Sequence, residues 1–380
     1  MLVELHIIQN FAPSCLNRDD TNSPKDCVFG GYRRARISSQ CLKRAMRKQF
    51  KDGNLVPVEH LAVRTKRIVD EVAGRLAAKG KDVEAAKRIV AFALAGAELK
   101  VVEDGKTQYL LYVGEDELKK IADVCVAHWD EMLALSEPKA EADGKKKKAK
   151  DEKREAKESV PKEIRNEVTA ILGSGKSVDL ALFGRMLADM PEKNIDAACQ
   201  VAHALSTNEV AMEMDFYTAV DDLKPNDNQG ADMMGVVEFT SACFYRYAVI
   251  NTELLAENLA KDSALAKKAV EAFVKAAIAA VPTGRQNSMA AYNPPLYVLA
   301  MVRKGGAPWN LANAFMKPVR PRDGVKDLGE LSVERLGEHL SKLEAMYGTD
   351  PGTVKVACSV FDEKPAPIAD LLNRVAGALR

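Results

Sequence analysis

The sequence predicts an α+β fold in which one discontinuous domain carries a helical insertion. Two observations lead there. Runs with the two-residue period of a strand lie on both sides of a helical middle, at Val3 to Ile7 and again at Val237 to Val249. Between them, from about Leu61 to Lys119, apolar residues recur at helical spacing. With 380 residues against about 100–200 for a usual domain, two or three folding units are expected. An apolar share of 47% with 29% charged residues is enough to bury a core, and the low aromatic content of 6% leans toward helix.

Each element has its own signal. Val3, Leu5 and Ile7 alternate with Glu4 and His6, the pattern of a half-buried strand. Phe11 to Arg36 reads as a loop, with Pro13, Pro24 and the pair Gly30-Gly31. Ser38 or Ser39 can N-cap the helix that follows. Helices are marked by Leu61, Ile68, Val69, Val72 and Leu76, then by Val83, Ile89, Val90, Phe92 and Leu94. A short strand fits Gln108 to Val113, and another helix Asp116 to Leu135. From about Glu137 to Lys162 the composition is of low complexity and includes Lys145 to Lys148. It reads either as a basic arm or as a solvated linker, and Glu141, Asp143, Asp151, Glu152 and Glu155 dilute its positive field. Farther on, Val237, Phe239, Cys243, Tyr245, Tyr247 and Val249 share one parity, as in a strand of an antiparallel sheet. A helix over Asp262 to Ala280, a strand over Tyr297 to Val302 and helices over Ser332 to Tyr347 and Ile368 to Leu379 complete the expectation.

Composition excludes several classes. The 55 basic and 54 acidic residues leave a net charge of +1, so a polyanion partner depends on where the cations sit. Seven cysteines contain no C-x-x-C pair and five histidines no H-x-x-x-H pair. Neither a disulfide framework nor a zinc knuckle is indicated, and no metal or cofactor is predicted. No apolar run approaches the roughly 20 residues of a membrane span. Met1 to Asn10 carries Glu4 and no basic cluster, so a secretory signal is not expected and the reading is a cytoplasmic protein without a membrane partner. There is no Ser-His-Asp ordering, no P-loop, no G-x-G-x-x-G after a strand and no RNP1 pattern.

The most informative stretch is Lys25 to Lys51. It holds Lys25, Arg33, Arg34, Arg36, Lys43, Arg44, Arg47, Lys48 and Lys51 against the single acid Asp26. On a helical projection Leu42, Ala45, Met46 and Phe50 fall on one side and Lys43, Arg44, Arg47 and Lys48 on the other. Four like charges repel one another, which points to an anionic partner. Ser38, Ser39 and Gln40 stand at the helix N-terminus, where free backbone N–H groups favour a phosphate. Gly30-Gly31 serves equally a plain turn or close approach to a ligand. Such contacts give affinity without sequence readout.

A second candidate is Met214 to Asp222, followed by a polar segment, Lys224 to Gly235, with Pro225 and Gly230. Two strands joined by such a tip form a protruding hairpin. Phe216 and Tyr217 point to opposite faces, so they are either ordinary packed aromatics or, at least one of them, a platform on which bases stack. Asp19, Asp20 and Asp26 raise a third possibility, a magnesium site for phosphodiester cleavage. The alternative there is that Asn17, Asp19 and Asp20 bond their own loop backbone.

The segments Pro13 to Asp20, Phe29-Gly30-Gly31, Arg33-Arg34, Arg36 to Gln40 and Leu42 to Lys48 closely resemble the backbone subunit of the type I-E CRISPR Cascade complex, the CasC family. The resemblance continues through Leu182, Gly184-Arg185-Met186, Phe216 to Asp222, Phe244 to Ala248, Asn293-Pro294 and Ala312 to Phe315. It departs in the lysine-rich insert and at Phe216, where the family often has Trp. It implies a modified RNA-recognition-motif (ferredoxin-like) palm, a helical fingers insertion and a β-hairpin thumb. Residues 1–58 and 181–380 would form the palm, 59–180 the fingers with the lysine-rich stretch 137–162, and about 205–240 the thumb. It also implies a non-catalytic subunit that polymerises along a CRISPR RNA in antiviral defence and presents its spacer for pairing with target DNA. Partners would be further copies of itself and the large, small, 5′-handle-capping and 3′-hairpin-binding Cascade subunits. Arg18, Lys25, Ser38, Gln40, Lys43, Arg44, Arg47 and Lys48 would contact RNA. Met186 would lie against the bases, and Phe216, Tyr217 and Thr218 would meet the guide. The related type III backbone subunits cleave RNA with an acidic loop residue, so a metal-dependent ribonuclease using Asp19 or Asp20 is the alternative.

Overall fold

A computed structural model describes residues 1–102, 104–137, 158–187, 189–219, 233–321 and 325–379. Most of the lysine-rich stretch and the hairpin tip, residues 220–232, therefore lie outside the described residues. In chain order the strands and helices begin with β1 (Leu2–Ser14), β2 (Asp26–Phe29), β3 (Tyr32–Ile37) and α1 (Ser39–Asp52). Next come β4 (Ala62–Thr65), α2 (Ile68–Ala77), α3 (Val83–Gly96), β5 (Leu111–Gly114), α4 (Glu115–Ala127), α5 (Trp129–Leu135), α6 (Lys162–Ile171) and α7 (Val178–Phe183). Then follow β6 (Cys199–Val201), β7 (Ala204–Ser206), β8 (Glu213–Ala219), β9 (Met233–Asn251), α8 (Thr252–Asn258), α9 (Ser263–Ala279) and α10 (Gln286–Met289). The last are β10 (Tyr297–Arg303), α11 (Leu328–Tyr347), β11 (Val354–Ser359) and α12 (Ile368–Ala378). Two compact units result. The first comprises Met1–Leu55, Cys199–Glu253 and Lys267–Arg380, the second Val56–Ala198 and Leu254–Ala266. Among the described residues no helix is long and apolar enough to cross a membrane.

The first unit is built on an antiparallel sheet in the order β11-β10-β1-β9-β7-β3-β2, with β6 and β8 also paired to β9. β1 lies centrally, and His6 faces Tyr247 on one side and Leu299 on the other. Both faces of β1 are buried, which differs from the half-buried strand expected. Leu5 and Ile7 meet Leu42 and Met46 of α1 and Ala277 of α9 around one small void. On the opposite face Ile8, Tyr245, Tyr247 and Leu299 pack with Leu311, Phe315, Leu336 and Leu340.

This second layer encloses the polar positions Glu4 and His6, each with no exposed surface. Burial is tolerable where partners are supplied, as they are in full for Glu4 and at one ring nitrogen for His6, whose Nε2 has no hydrogen-bond partner among the described residues. Glu4 accepts from Arg303 (3.0 Å), from the Tyr247 hydroxyl (2.6 Å) and from the Trp309 amide (2.7 Å). The Tyr245 hydroxyl lies 2.9 Å from His6 Nδ1 and accepts from the Leu311 amide at 3.0 Å. Burial holds the His6 pKa down at about 3, so its ring is neutral.

The expected loop from Phe11 to Arg36 is strand at both ends, because β1 runs on to Ser14 and β2 and β3 form a hairpin, while the stretch between Ser14 and Asp26 is loop as expected. Gly30 (φ +63) and Gly31 (φ +86) are its two turn residues, the backbone that a tight primed turn requires. A Cβ on Gly30 would stand 2.1 Å from the carbonyl oxygen of Met316, so the glycine serves both turn and close approach, and what approaches is backbone.

The second unit is helical. Ile68, Val72 and Leu76 of α2, Ile89 and Val90 of α3, Leu118 and Ile121 of α4 and Ile164 and Val168 of α6 share one core. The single helix expected over Asp116 to Leu135 is two, divided at His128, which turns Trp129 and Met132 into that core. β4 and β5 pair antiparallel beside it.

Candidate nucleic-acid interface

The N-terminus of α1 is set by Ser38, whose side chain accepts from the Cys41 amide at 3.3 Å. The Ser38 amide donates to Asn17 Oδ1 at 2.8 Å, which ties the preceding loop to the helix start. The first intrahelical bond runs from Leu42 N–H to the Ser38 carbonyl (3.1 Å), so the amides of Ser39 and Gln40 precede it. Leu42, Met46 and Phe50 are buried, which turns the opposite side outward. Arg44 and Lys48 are exposed there, Lys43 and Arg47 partly so. No acid occupies the first turn. Lys48 lies 3.5 Å from Asp52, a carboxylate one residue past the Lys25 to Lys51 stretch, in an exposed pair of the kind worth little in water.

The structure brings the sequence-distant Arg18 to this face. Arg18, Asp19, Arg44 and Lys48 line one cleft of about 320 Å³ together with Thr283 and Gly284. The 282–284 segment is a contributor that charge counting passes over, and its only sequence signal is the Pro-Thr-Gly punctuation after a helix. A Cβ on Gly284 would stand 2.4 Å from the Leu16 carbonyl oxygen, so glycine permits the approach. The loop is internally braced. Asp19 Oδ1 accepts from Thr21 N (2.9 Å), Thr21 Oγ1 (2.8 Å) and Ser23 N (3.0 Å). The Thr21 hydroxyl bond, with the two amides, holds the Asp19 carboxyl below its ordinary pKa. Arg18 donates to Asn22 Oδ1 at 3.0 Å, and the Lys25 amide donates to the Asn17 carbonyl at 2.8 Å.

Not every cation of the basic stretch belongs to this surface. Arg34 is fully buried and donates to the carbonyls of Ser206 (3.1 Å), Thr207 (2.8 Å) and Phe315 (2.6 Å). Its guanidinium holds backbone together and is closed to any ligand. Arg33 pairs with Asp26, and Arg36 reaches the Asp26 carbonyl (3.1 Å) and His203 (3.0 Å). Among the described residues no group of three or more His, Cys, Asp or Glu side chains is placed to hold a metal ion.

β8 and β9 continue outward as a two-stranded ribbon, with Phe216 opposite Val236, Tyr217 opposite Gly235 and Thr218 opposite Met234. All seven residues of β8 are exposed. Met214, Phe216, Met234 and Val236 crowd one face, and Phe216 remains 62% exposed. On the other face the Tyr217 ring lies across Gly235, where an added Cβ would meet the ring at 2.4 Å. Neither aromatic is a core residue, and Val220 to Asp222 lie outside the described residues.

In the second unit Met186 is 81% exposed between two buried neighbours, Arg185 and Leu187. Sequence spacing alone carries no signal for this placement.

No relative among the curated proteins matches the chain. Two solved structures do over their full lengths. A chain of a "CRISPR RNA-guided surveillance complex, pre-nicking" is 29% identical with a TM-score of 0.85, covering 100% of both chains. A chain of a "CRISPR RNA-guided surveillance complex" is 25% identical with a TM-score of 0.75, again covering 100% of both. These matches agree with the Cascade resemblance read from the sequence. The family described as CT1975-like protein matches residues 3–375, and the chain belongs to that family.

Proposed function

We propose that this chain is a CRISPR RNA-binding subunit of a Cascade-type surveillance complex. It grips the sugar–phosphate backbone of the guide and leaves the bases open for pairing with target DNA. The observation that carries the reading is the cleft in which Arg18 joins Arg44 and Lys48 on the outward side of α1, in a chain similar over its whole length to chains of RNA-guided complexes. Cations on one rigid element bind phosphates without choosing a sequence, as a scaffold for any spacer must. Lys25, Lys43 and Arg47 extend the same field. Ser38 holds the helix start, beside which the Ser39 and Gln40 amides meet a phosphate.

The first unit is then the palm. Strands β10, β1, β9 and β6/β7 lie in the order of a β-α-β-β-α-β fold, with α1 and α9 as its two helices, which supports the RNA-recognition-motif reading. The face on which such a motif stacks bases carries His6, Tyr245 and Tyr247 here, and they are covered, so binding falls to the helix side and the ribbon. The second unit, which runs on to Ala198 and takes in Leu254–Ala266 where the sequence reading ended the insertion at 180, is the fingers, and the β8–β9 ribbon is the thumb. Copies of the chain assemble side by side along the guide, with the other Cascade subunits at its ends and flank.

The chain works as a scaffold, not a nuclease. Asp19 Oδ1 is engaged three times by its own loop, the alternative reading of the acidic cluster. RNA recovered with the purified full-length protein should have one defined length, and RNA of random length would contradict the assembly. Wild-type protein incubated with RNA and magnesium should leave it intact. Fragments that disappear in Asp19→Ala would replace this reading with the ribonuclease.

A further inference from the structure

Met186 lies in a short segment after α7, and its chain neighbours Arg185 and Leu187 are both held in place. Gly184 (φ +77) opens the segment, and a Cβ there would stand 2.8 Å from the Ile195 carbonyl oxygen. Arg185 and Ile195 exchange both backbone hydrogen bonds, at 2.9 Å each. The Arg185 side chain is 1% exposed and pairs with Glu117, equally covered, at 3.0 Å. It also donates to the Tyr112 carbonyl at 3.2 Å. Glu117 is itself fixed, because its carboxylate accepts from the amides of Gly114 (2.8 Å) and Gly173 (2.6 Å). On the far side of Met186, the Leu187 amide donates to Asn194 Oδ1 at 2.6 Å, and the Leu187 side chain is buried in the helical core.

An apolar side chain left 81% exposed gains nothing for folding by its position. Yet the residues on both sides are clamped in a way that keeps it outward. A buried ion pair contributes little net stability over an apolar substitute, so its presence here calls for another reason. We infer that Arg185, held by Glu117, is a positioning residue that presents Met186 to the nucleobases. This rests on the reading of Met186 as a base contact given above. Preorganising a flexible, polarisable thioether lowers the entropy lost when it settles against a base edge or a stack.

The test is a cycle on the full-length chain loaded with a single-stranded RNA that carries a stacking-sensitive fluorescent purine and is titrated with complementary DNA. Met186→Ala should weaken DNA capture several-fold and change the emission while leaving the melting temperature near wild type. Arg185→Lys keeps the charge but loses the fork, and should weaken capture to a similar extent. In the double variant the loss should be no larger than in Met186→Ala alone, because Arg185 acts through Met186. Losses that multiply would show two independent roles and overturn the inference, as would wild-type capture by Arg185→Lys. If Met186→Ala itself captures DNA normally, the base-contact reading falls and this inference with it. RNA binding through the α1 face is scored separately by its salt dependence. Should Arg185→Lys fail to fold, Asn194→Ala, an exposed site on the other tie, is paired with Met186→Ala under the same criteria.

Discussion

Arg34 and Arg44 stand ten positions apart in one basic stretch and do opposite things. A charge count along the chain cannot separate them, because the carbonyls that enclose Arg34 come from Ser206 and Phe315, 172 and 281 residues away. Replacing Arg34 by Met should leave those carbonyls buried without donors and destabilise the fold by on the order of 3 kcal/mol. Thermal melting would show it, while the salt dependence of RNA binding by the protein that remains folded stays unchanged. His6 is equally misread from pattern, since alternation with Val3, Leu5 and Ile7 suggests solvent. Its pKa is held at about 3 in the fold against an ordinary 6.5. Between those values the unfolded chain binds the proton and the folded chain does not, so stability rises with pH through that window and is lost as pH falls from about 6.5 toward 3. His6→Gln cannot titrate, so its melting temperature should fall less steeply over the same range. Parallel curves for the two proteins would show that the ring is not the group responsible.

Elements with a period and a cap were legible. α1 begins at its Ser38 cap with the apolar and basic faces expected, and the strands at Tyr297 and in the Leu111 region and the helix after Asp262 lie close to where their spacing puts them. What stayed hidden were features that depend on remote neighbours. β11 carries the alternation Val354, Val356, Cys358, but six residues between two helices pass for a loop until β10 is beside them. The ribbon of β8 and β9 was readable as a hairpin, whereas the fit of the Tyr217 ring over Gly235 needed the register. Stacking of a base on an aromatic ring is worth about 1–3 kcal/mol whichever base it is. The Phe216→Ala, Tyr217→Ala double variant should therefore fold and keep the wild-type salt slope, yet lose guide assembly or target capture. Chemical probing should find periodically exposed nucleotides in the wild-type complex. Persistence of that pattern in the double variant would return both residues to ordinary surface aromatics.

At the scale of the whole chain, the discontinuity was legible because strand periods flank a helical stretch. The return of Leu254–Ala266 to the second unit was not, since a helix's own residues do not name the core it joins. The basic surface was legible as a charge imbalance but not as a cleft, which exists only once Arg18 and the 282–284 segment meet α1. That cleft is where the guide backbone is proposed to sit, and salt probes it directly. Each phosphate contact on single-stranded RNA contributes about 0.7 to the slope of log affinity against log salt. The Arg44→Ala, Lys48→Ala double variant keeps the buried face of α1 intact. In a salt titration with RNAs of unrelated sequence, its slope should be shallower than wild type by about 1.4, with affinity lowered alike for all of them. A slope and affinity equal to wild type would contradict the claim that this face holds the guide.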